Sequence, residues 1–564
     1  MRNLFLGLML VLTATTGAVT PKKIYPYRWV RVGAGLRNAA DVEKVRKIAE
    51  TAAQHGLNGI LLSAGLDSLD LQPPQYHANL KEVREICRKL QLDIIPSFLS
   101  TGYGGAVLAH DKNLAAGLPV RDALFVVKGG EARLQPDPAV SMVNGGFEDA
   151  APTNGFSCTG RPGEFVAPDR ATHAEGAASL RFENFRKAPE QTISIRQSVA
   201  VAPHRCYRLS CSVKAADLRP SDPFGDSNFQ LKVLGGAEKR PLQFENPKLA
   251  PNDDWHWVAV GFNTWGYDTV EIVASVSGGG DGRFWIDDLK LEEVGLVNVL
   301  RRPGTPVAVK GDSNGLLYTE GKDYAEVADP AIDFHYSHDG PAIPITPGSR
   351  ISEGEHLRVS YYHGTFIYSD QVPICMSEPK LYQIWEKQIR LVHEALAPRY
   401  YMLNMDELRA GGSCEACKKR EMTMGQILGD TLTRQFNLIR TASPKAEVFV
   451  WSDMLDPNHN ARPDRKWYYL AEGTYTNSWK YIPKELNIVC WYFEVRAASL
   501  KHFSSLGFKT MAGAYYDADN LDNPKGWLAA LDETPGASGI LYTTWLNKYD
   551  LLGGFGDLVS RRVE

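Results

Sequence analysis

Eight short apolar runs, most of them followed by a helix-length stretch, constrain this chain more than any other feature. RWVRVGA (28–34), GILLSAG (59–65) and DIIPSFLS (93–100) come first. The pattern then stops for nearly half the chain. It resumes with YYMLNMDE (400–407), VFVWSDM (448–454), NIVCWYFE (487–494), TMAGAYYD (510–517) and GILYTTW (539–545). Runs that are apolar on both faces are what parallel strands look like when helices cover them. The intervening segments carry helical spacing: Val42, Val45, Ile48, Ala49 and Ala52; then Leu80, Val83, Ile86 and Leu90; later Leu381, Ile384, Trp385, Leu391 and Val392. Three strands before the gap and five after it predict an α/β fold, a (β/α)8 TIM barrel built from residues 24–104 and 370–564. An open doubly wound sheet fits less well, because no glycine-rich phosphate loop follows the first strand.

The gap has another texture. From 141 to 294 it is rich in Gly, Pro, Ser and Asn, with alternating runs such as QTISIRQSVAV, CYRLSCSVKA and VEIVASVSG between turn signals. That reads as a β-sandwich interrupting the barrel after strand three. A second, small β unit over 295–368 then returns the chain to the barrel. The sandwich opens with VNGGFED (143–149) and closes with FWIDDLKLEEV (284–294), and these ends resemble those of jelly-roll carbohydrate-binding modules of families 4 and 9. The resemblance implies a structural calcium ion held by acids from both ends, for which Glu148 and Asp288 are the matching candidates; solvated edge carboxylates are the alternative. If the sandwich is an insertion, its two ends should lie close together in space.

At the amino terminus, Arg2, the apolar Leu4–Leu12 and the small residues Thr16-Gly17-Ala18 predict a secretory signal over 1–18, hence a secreted or periplasmic protein. No later stretch reads as a transmembrane segment. Lys+Arg 62 against Asp+Glu 66 argues against a dedicated nucleic-acid binder, which would carry a basic excess. Eight cysteines in 564 residues are not a disulfide scaffold. Cys206 and Cys211 are close enough in sequence to pair. Cys414 and Cys417 form a single CxxC, read as a local disulfide or free thiols ahead of a metal site.

In a barrel of this kind the chemistry lies at the carboxyl ends of the strands. Those ends carry Asp406 and Glu407, Trp451 and Asp453, Trp491 and Glu494, Tyr515 and Asp517, and Trp545. Acids among Trp and Tyr suit sugars, whose CH faces stack on rings while hydroxyls donate to carboxylates. No histidine cluster resembles a metal triad, so glycoside chemistry is favoured over metal hydrolysis. Adjacent strand residues point to opposite faces, so Asp406 and Glu407 can share a pocket only where the chain turns. Crowded there, at least one carboxyl should be pushed upward.

An Asp-Glu dipeptide ending strand four, Trp ending strand five, Tyr-x-Asp ending strand seven and Trp on strand eight resemble glycoside hydrolase family 20, the β-N-acetylhexosaminidases. The resemblance implies Glu407 as general acid/base and Asp406 as the group orienting a substrate 2-acetamido nucleophile. It further implies Tyr515 donating to the acetamido carbonyl, Asp517 binding a hydroxyl, Trp451 and Trp545 walling the pocket, and an oligo- or polysaccharide as partner. No cofactor is implied for catalysis. Two other readings stand beside it. One is a two-carboxylate retaining glycosidase with Glu494 or Asp517 as nucleophile; the other is a sugar-binding protein without activity.

Overall fold

The computed structural model describes residues 23–561, apart from 152, 162, 220–227, 368–370 and 465–469; the segment 1–18, expected from sequence to be a secretory signal, lies outside them. Eight parallel strands close into a barrel in chain order: β1 (Tyr27–Gly33), β2 (Gly59–Ser63), β3 (Asp93–Phe98), β4 (Tyr400–Leu403), β5 (Glu447–Trp451), β6 (Asn487–Cys490), β7 (Thr510–Tyr515) and β8 (Ala537–Thr543). Closure is made by β1 pairing with both β2, Trp29 opposite Gly59, and β8, Tyr27 opposite Gly539. The strands end up to four residues short of the apolar runs read from sequence. β4 stops at Leu403, and the Asp-Glu dipeptide follows it in a loop.

Outside the barrel lie α1 (Ala39–Gln54), α2 (Pro74–Lys89), α3 (Pro379–Leu396), α4 (Met424–Ala442), α5 (Arg496–Ser505), α6 (Asp522–Asp532) and α7 (Leu552–Arg561). Asn38 caps α1 through the Asp41 amide, and Thr423 with Gln426 forms a capping box on α4, so both helix starts are written locally.

The period-2 alternation of each strand sorts its side chains. One set (Val30, Val32, Ile60, Leu62, Val448, Val450) joins the layer under the helices; the other (Tyr27, Trp29, Leu61, Ile95, Met402, Phe449) fills the interior. Trp29 sits at the centre, with ring centroids 4.8 Å from Phe449 and 5.5 Å from Tyr400. Gly59 gives it room: a Cβ there would come within 2.5 Å of the indole.

Between β3 and β4 in chain order lie antiparallel sheets. Two five-stranded sheets run Asp253–Asn263, Cys206–Ala216, Arg283–Glu293, Ser179–Phe182, Val166–Asp169 and Arg240–Glu245, Phe229–Gly235, Thr269–Ser277, Thr192–Ala200, Ser157–Cys158. The two ends of this region meet, the Leu289 amide donating to the Gly145 carbonyl at 2.9 Å. A six-stranded sheet then contains not only segments after 295 but also Leu118–Lys128 and Glu131–Leu134 from before the sandwich, which the sequence reading left unassigned. Leu118–Lys128 pairs antiparallel with His356–His363, so the outgoing and returning chain are bonded side by side.

Cys206 and Cys211 do not pair. An odd spacing on a strand turns them to opposite faces, and both are free thiols in separate clusters. At the proposed calcium end, Glu148 accepts from the amides of Ala177 and Ala178 at 2.8 and 3.3 Å, and Asp288 pairs with Lys290 at 2.7 Å. Among the described residues no third His, Cys, Asp or Glu joins them at ligating distance. Among the described residues no helix is long and apolar enough to cross a membrane.

Candidate active site

The inward columns that fill the barrel continue upward by two residues and become the floor of a cavity of about 1130 Å³. Trp29 is followed by Arg31, Leu61 by Ser63, Ile95 by Ser97, Met402 by Asn404, Phe449 by Trp451, Val489 by Trp491 and Leu541 by Thr543, and each of these second residues lines the cavity. On β7 the corresponding position is Gly513, where a Cβ would lie 3.2 Å from both Trp451 and Trp491. The missing side chain lets the two indoles stand where they do.

Asp406 and Glu407 enter from the loop after β4. Glu407 has φ +50°, the turn needed for two neighbours to face one cavity. Gly102 permits the approach, since a Cβ there would meet the Asp406 carbonyl oxygen at 2.3 Å. The loop is held from behind: the Asn404 amide donates to Phe98 O at 3.0 Å, and Gln371 Nε2 to the Glu407 carbonyl at 2.8 Å. Tyr103 donates its hydroxyl to the Glu407 carboxylate, and Arg409 Nη1 lies 3.2 Å from it. The Arg409 contact is the ion pair that a purely structural Glu would make; here the pair faces the cavity.

Asp453 is fully buried beneath the dipeptide. It accepts from the Glu407 amide at 2.9 Å, from Asn460 Nδ2 at 3.0 Å and from Trp491 Nε1 at 3.4 Å. Burial, then the charges of Asp453 and Glu407, push the Asp406 carboxyl well above the usual carboxylate range, with the Arg31 guanidinium opposing. Asp453 is raised too, chiefly by burial, against the pull of the Glu407 amide. Burial and Arg462 press His459 down to about 3, so the ring under Trp491, 4.5 Å away, is neutral.

Trp451, Trp491 and Trp545 all line the cavity, and Trp545 stacks over Arg31 with 4.0 Å from guanidinium carbon to ring centroid. Three expected residues are elsewhere. Tyr515 turns into the layer beneath the helices and stacks on Tyr542 at 4.1 Å; Tyr516 takes the place in the cavity and lies parallel to Trp491. Asp517 spends its oxygens on the Thr544 hydroxyl and the Trp545 amide (2.7 Å), bracing the turn that carries Trp545. Glu494 is exposed and lines no part of the cavity.

Sequence reading missed Arg31, although an Arg two positions beyond Trp29 in an apolar strand was a legible signal. It also missed the far wall: Gln230, Lys232, Pro241, Phe244 and Asn246 come from the sandwich strands Phe229–Gly235 and Arg240–Glu245 and the residue just beyond. Gln243 Nε2 anchors that sheet by donating to Phe366 O at 2.7 Å.

Asp67, also in the cavity lining, is pushed up to about 7 by burial, against the Leu99 amide it accepts from. Its folded value is above its unfolded one, so between about pH 4 and 7 the native state holds the proton more tightly and stability falls as pH rises. Asp67→Asn, which keeps the acceptor oxygen, is expected to flatten that part of the melting-temperature profile; an unchanged slope would assign the fall to other groups.

The sequence matches no family model. No curated protein matches it either. Among solved structures, the chitobiase of Flavobacterium johnsoniae aligns over 95% of this chain and 51% of its own, at 8% identity and TM-score 0.35. The rhamnosidase of Novosphingobium sp. PP1Y aligns over 92% and 55%, at 11% identity and TM-score 0.32. This chain thus spans about half the length of each. A CBM4 structure aligns over 27% of this chain and 99% of its own, at 15% identity and TM-score 0.20.

Proposed function

We propose that this chain is a glycoside hydrolase that opens an O-glycosidic bond of an oligo- or polysaccharide, with Asp406 and Glu407 as the reacting pair. The observation that carries the reading is the delivery of two adjacent carboxyls, one of them strongly desolvated, to an aromatic-walled cavity at the carboxyl end of a closed parallel barrel. Trp451, Trp491 and Tyr516 offer faces for sugar rings, and Arg31, Asn404 and Asp67 offer polar partners. In this reading the sandwich is a carbohydrate-binding unit that supplies the cavity's far wall, and the protein works outside the cytoplasm.

The substrate-assisted form fits as follows. Glu407 protonates the departing oxygen while the acetamido carbonyl oxygen of the same sugar attacks the anomeric carbon. Asp406 accepts the acetamido N–H. The positive charge that builds there stabilises the Asp406 carboxylate, offsetting the burial that disfavours it. Glu407 then takes a proton from the water that opens the ring.

The Arg409 ion pair favours one second reading, with roles exchanged. A Glu407 carboxylate held between Arg409 and Tyr103 is a resident anion suited to direct attack, and Asp406 would be the acid. A panel of aryl glycosides, with N-acetylglucosamine and N-acetylgalactosamine derivatives beside their 2-hydroxy counterparts, separates the two. Substrate assistance predicts turnover only of the acetamido sugars. Equal turnover of 2-hydroxy sugars, with a covalent adduct on Glu407 from a 2-fluoro glycoside, would establish the exchange. Binding without any turnover would leave a lectin-like protein.

A further inference from the structure

Cys375, Cys414 and Cys417 come together in the core next to the cavity loop, although 39 and 42 residues separate the first from the other two. The three Sγ···Sγ distances are 3.5, 3.6 and 3.7 Å. All three side chains are buried and none is in a disulfide. A zinc ion bound tetrahedrally at about 2.3 Å from sulfur requires an edge of about 3.7–3.8 Å between its thiolates. The triangle is nearly that edge on every side. A disulfide, with sulfurs about 2.05 Å apart, would single out one pair and leave the third thiol over.

We propose that these three cysteines bind a structural zinc ion, with a water molecule at the fourth vertex. Among the described residues no further His, Cys, Asp or Glu atom joins the trio. Binding releases the thiol protons to solvent and leaves a cluster of net negative charge. The surroundings suit that charge. Arg302 is buried beside Cys375 and Cys414. Its Nε donates to Glu378 at 2.9 Å, and its Nη2 is buried with no hydrogen-bond partner. The Cys417 amide donates to the Cys414 carbonyl at 3.1 Å, closing the turn that brings these two sulfurs to one side.

The position gives the ion a task. Cys375 lies where the chain rejoins the barrel, four residues before α3 begins at Pro379, and its amide donates to Leu114 O at 2.8 Å, in the 3-10 turn just ahead of the outgoing strand. Cys414 follows Glu407 by seven residues, and the Glu415 amide donates to Gly304 O at 3.0 Å. One ion would therefore clip the loop carrying the reacting pair to both the departure and the return of the long excursion. The inference rests on these sulfurs alone and holds whether or not the chain hydrolyses glycosides.

The test uses the full-length protein purified under reducing conditions. Elemental analysis is expected to give about one zinc per chain. Removing it with a chelator should lower the melting temperature, and one equivalent of zinc should restore it, because an ion bound only by the folded state stabilises that state. Cobalt added to the metal-free protein should produce thiolate-to-cobalt charge transfer and the visible bands of a tetrahedral site. Cys414→Ser should lose the stoichiometric metal. Should that variant fail to fold, the wild-type cobalt spectrum still decides. No bound metal together with three alkylatable thiols, or a disulfide between any two of the three found by mass spectrometry, would overturn the proposal.

Discussion

Glu407→Gln is expected to abolish turnover of glycosides with poor leaving groups, lowering the rate by roughly 10²–10⁴, the usual worth of a positioned proton donor. An activated aryl glycoside, whose phenolate scarcely needs the proton, should lose far less in its first step. Gln keeps the shape of the side chain and can still accept from the Tyr103 hydroxyl, so the loop after β4 should survive the change. Asp406→Asn should behave differently. It should cost about 10²–10³ whatever the leaving group, because a preorganised contact to the developing charge is lost. A thiazoline mimic of the cyclised intermediate should then inhibit the wild type well and Asp406→Asn poorly. Under the exchanged assignment the leaving-group dependence moves to Asp406→Asn. A pair of variants with identical, leaving-group-independent losses would remove both assignments.

Trp29→Ala should be the most damaging substitution away from the cavity. The indole is 2% exposed and lies against Tyr27, Tyr400 and Phe449 in the barrel's interior layer. Truncating a buried Trp costs about 3–5 kcal/mol, most where the walls cannot collapse. A closed ring of hydrogen-bonded strands is such a wall. The change should appear as a lower denaturant midpoint of the barrel transition with little change in its slope. Trp257→Ala, on a sandwich residue that is 48% exposed, should shift stability by no more than about 0.5 kcal/mol. Equal shifts in the two variants would mean that the interior layer is not what holds the barrel closed.

The barrel was legible because each strand is a run of apolar residues whose two faces both need covering, a property visible in eight places without knowledge of tertiary contacts. Strand ends were less so. Met405, Asp406 and Glu407 continue the run of β4 on paper, yet the backbone turns at the dipeptide because only a turn lets both carboxyls face one way. The same turning explains Tyr515 and Asp517. Both have positive φ, so simple alternation past the end of β7 mis-assigns which side chain faces inward, and Tyr516 takes that place. Glu494 fell outside because a 3-10 turn over Phe493–Val495 follows β6 where the reading extended the strand. The far wall had no local signal at all. Gln230, Lys232 and Phe244 look like any alternating strand residues until the sandwich is seen against the barrel mouth.

That far wall separates two things that most barrels keep in one place. Asp406 and Glu407 belong to a loop braced by β3, Gln371, Arg409 and Asp453, where almost any change disturbs several contacts at once. Gln230, Lys232 and Asn246 stand on the edge side of a different sheet, held by its own strand pairing and replaceable without touching that loop. Variation can therefore accumulate on one side of the chamber while the other stays fixed, so which molecules the cavity admits can drift while the loop of Asp406 and Glu407 stays as it is.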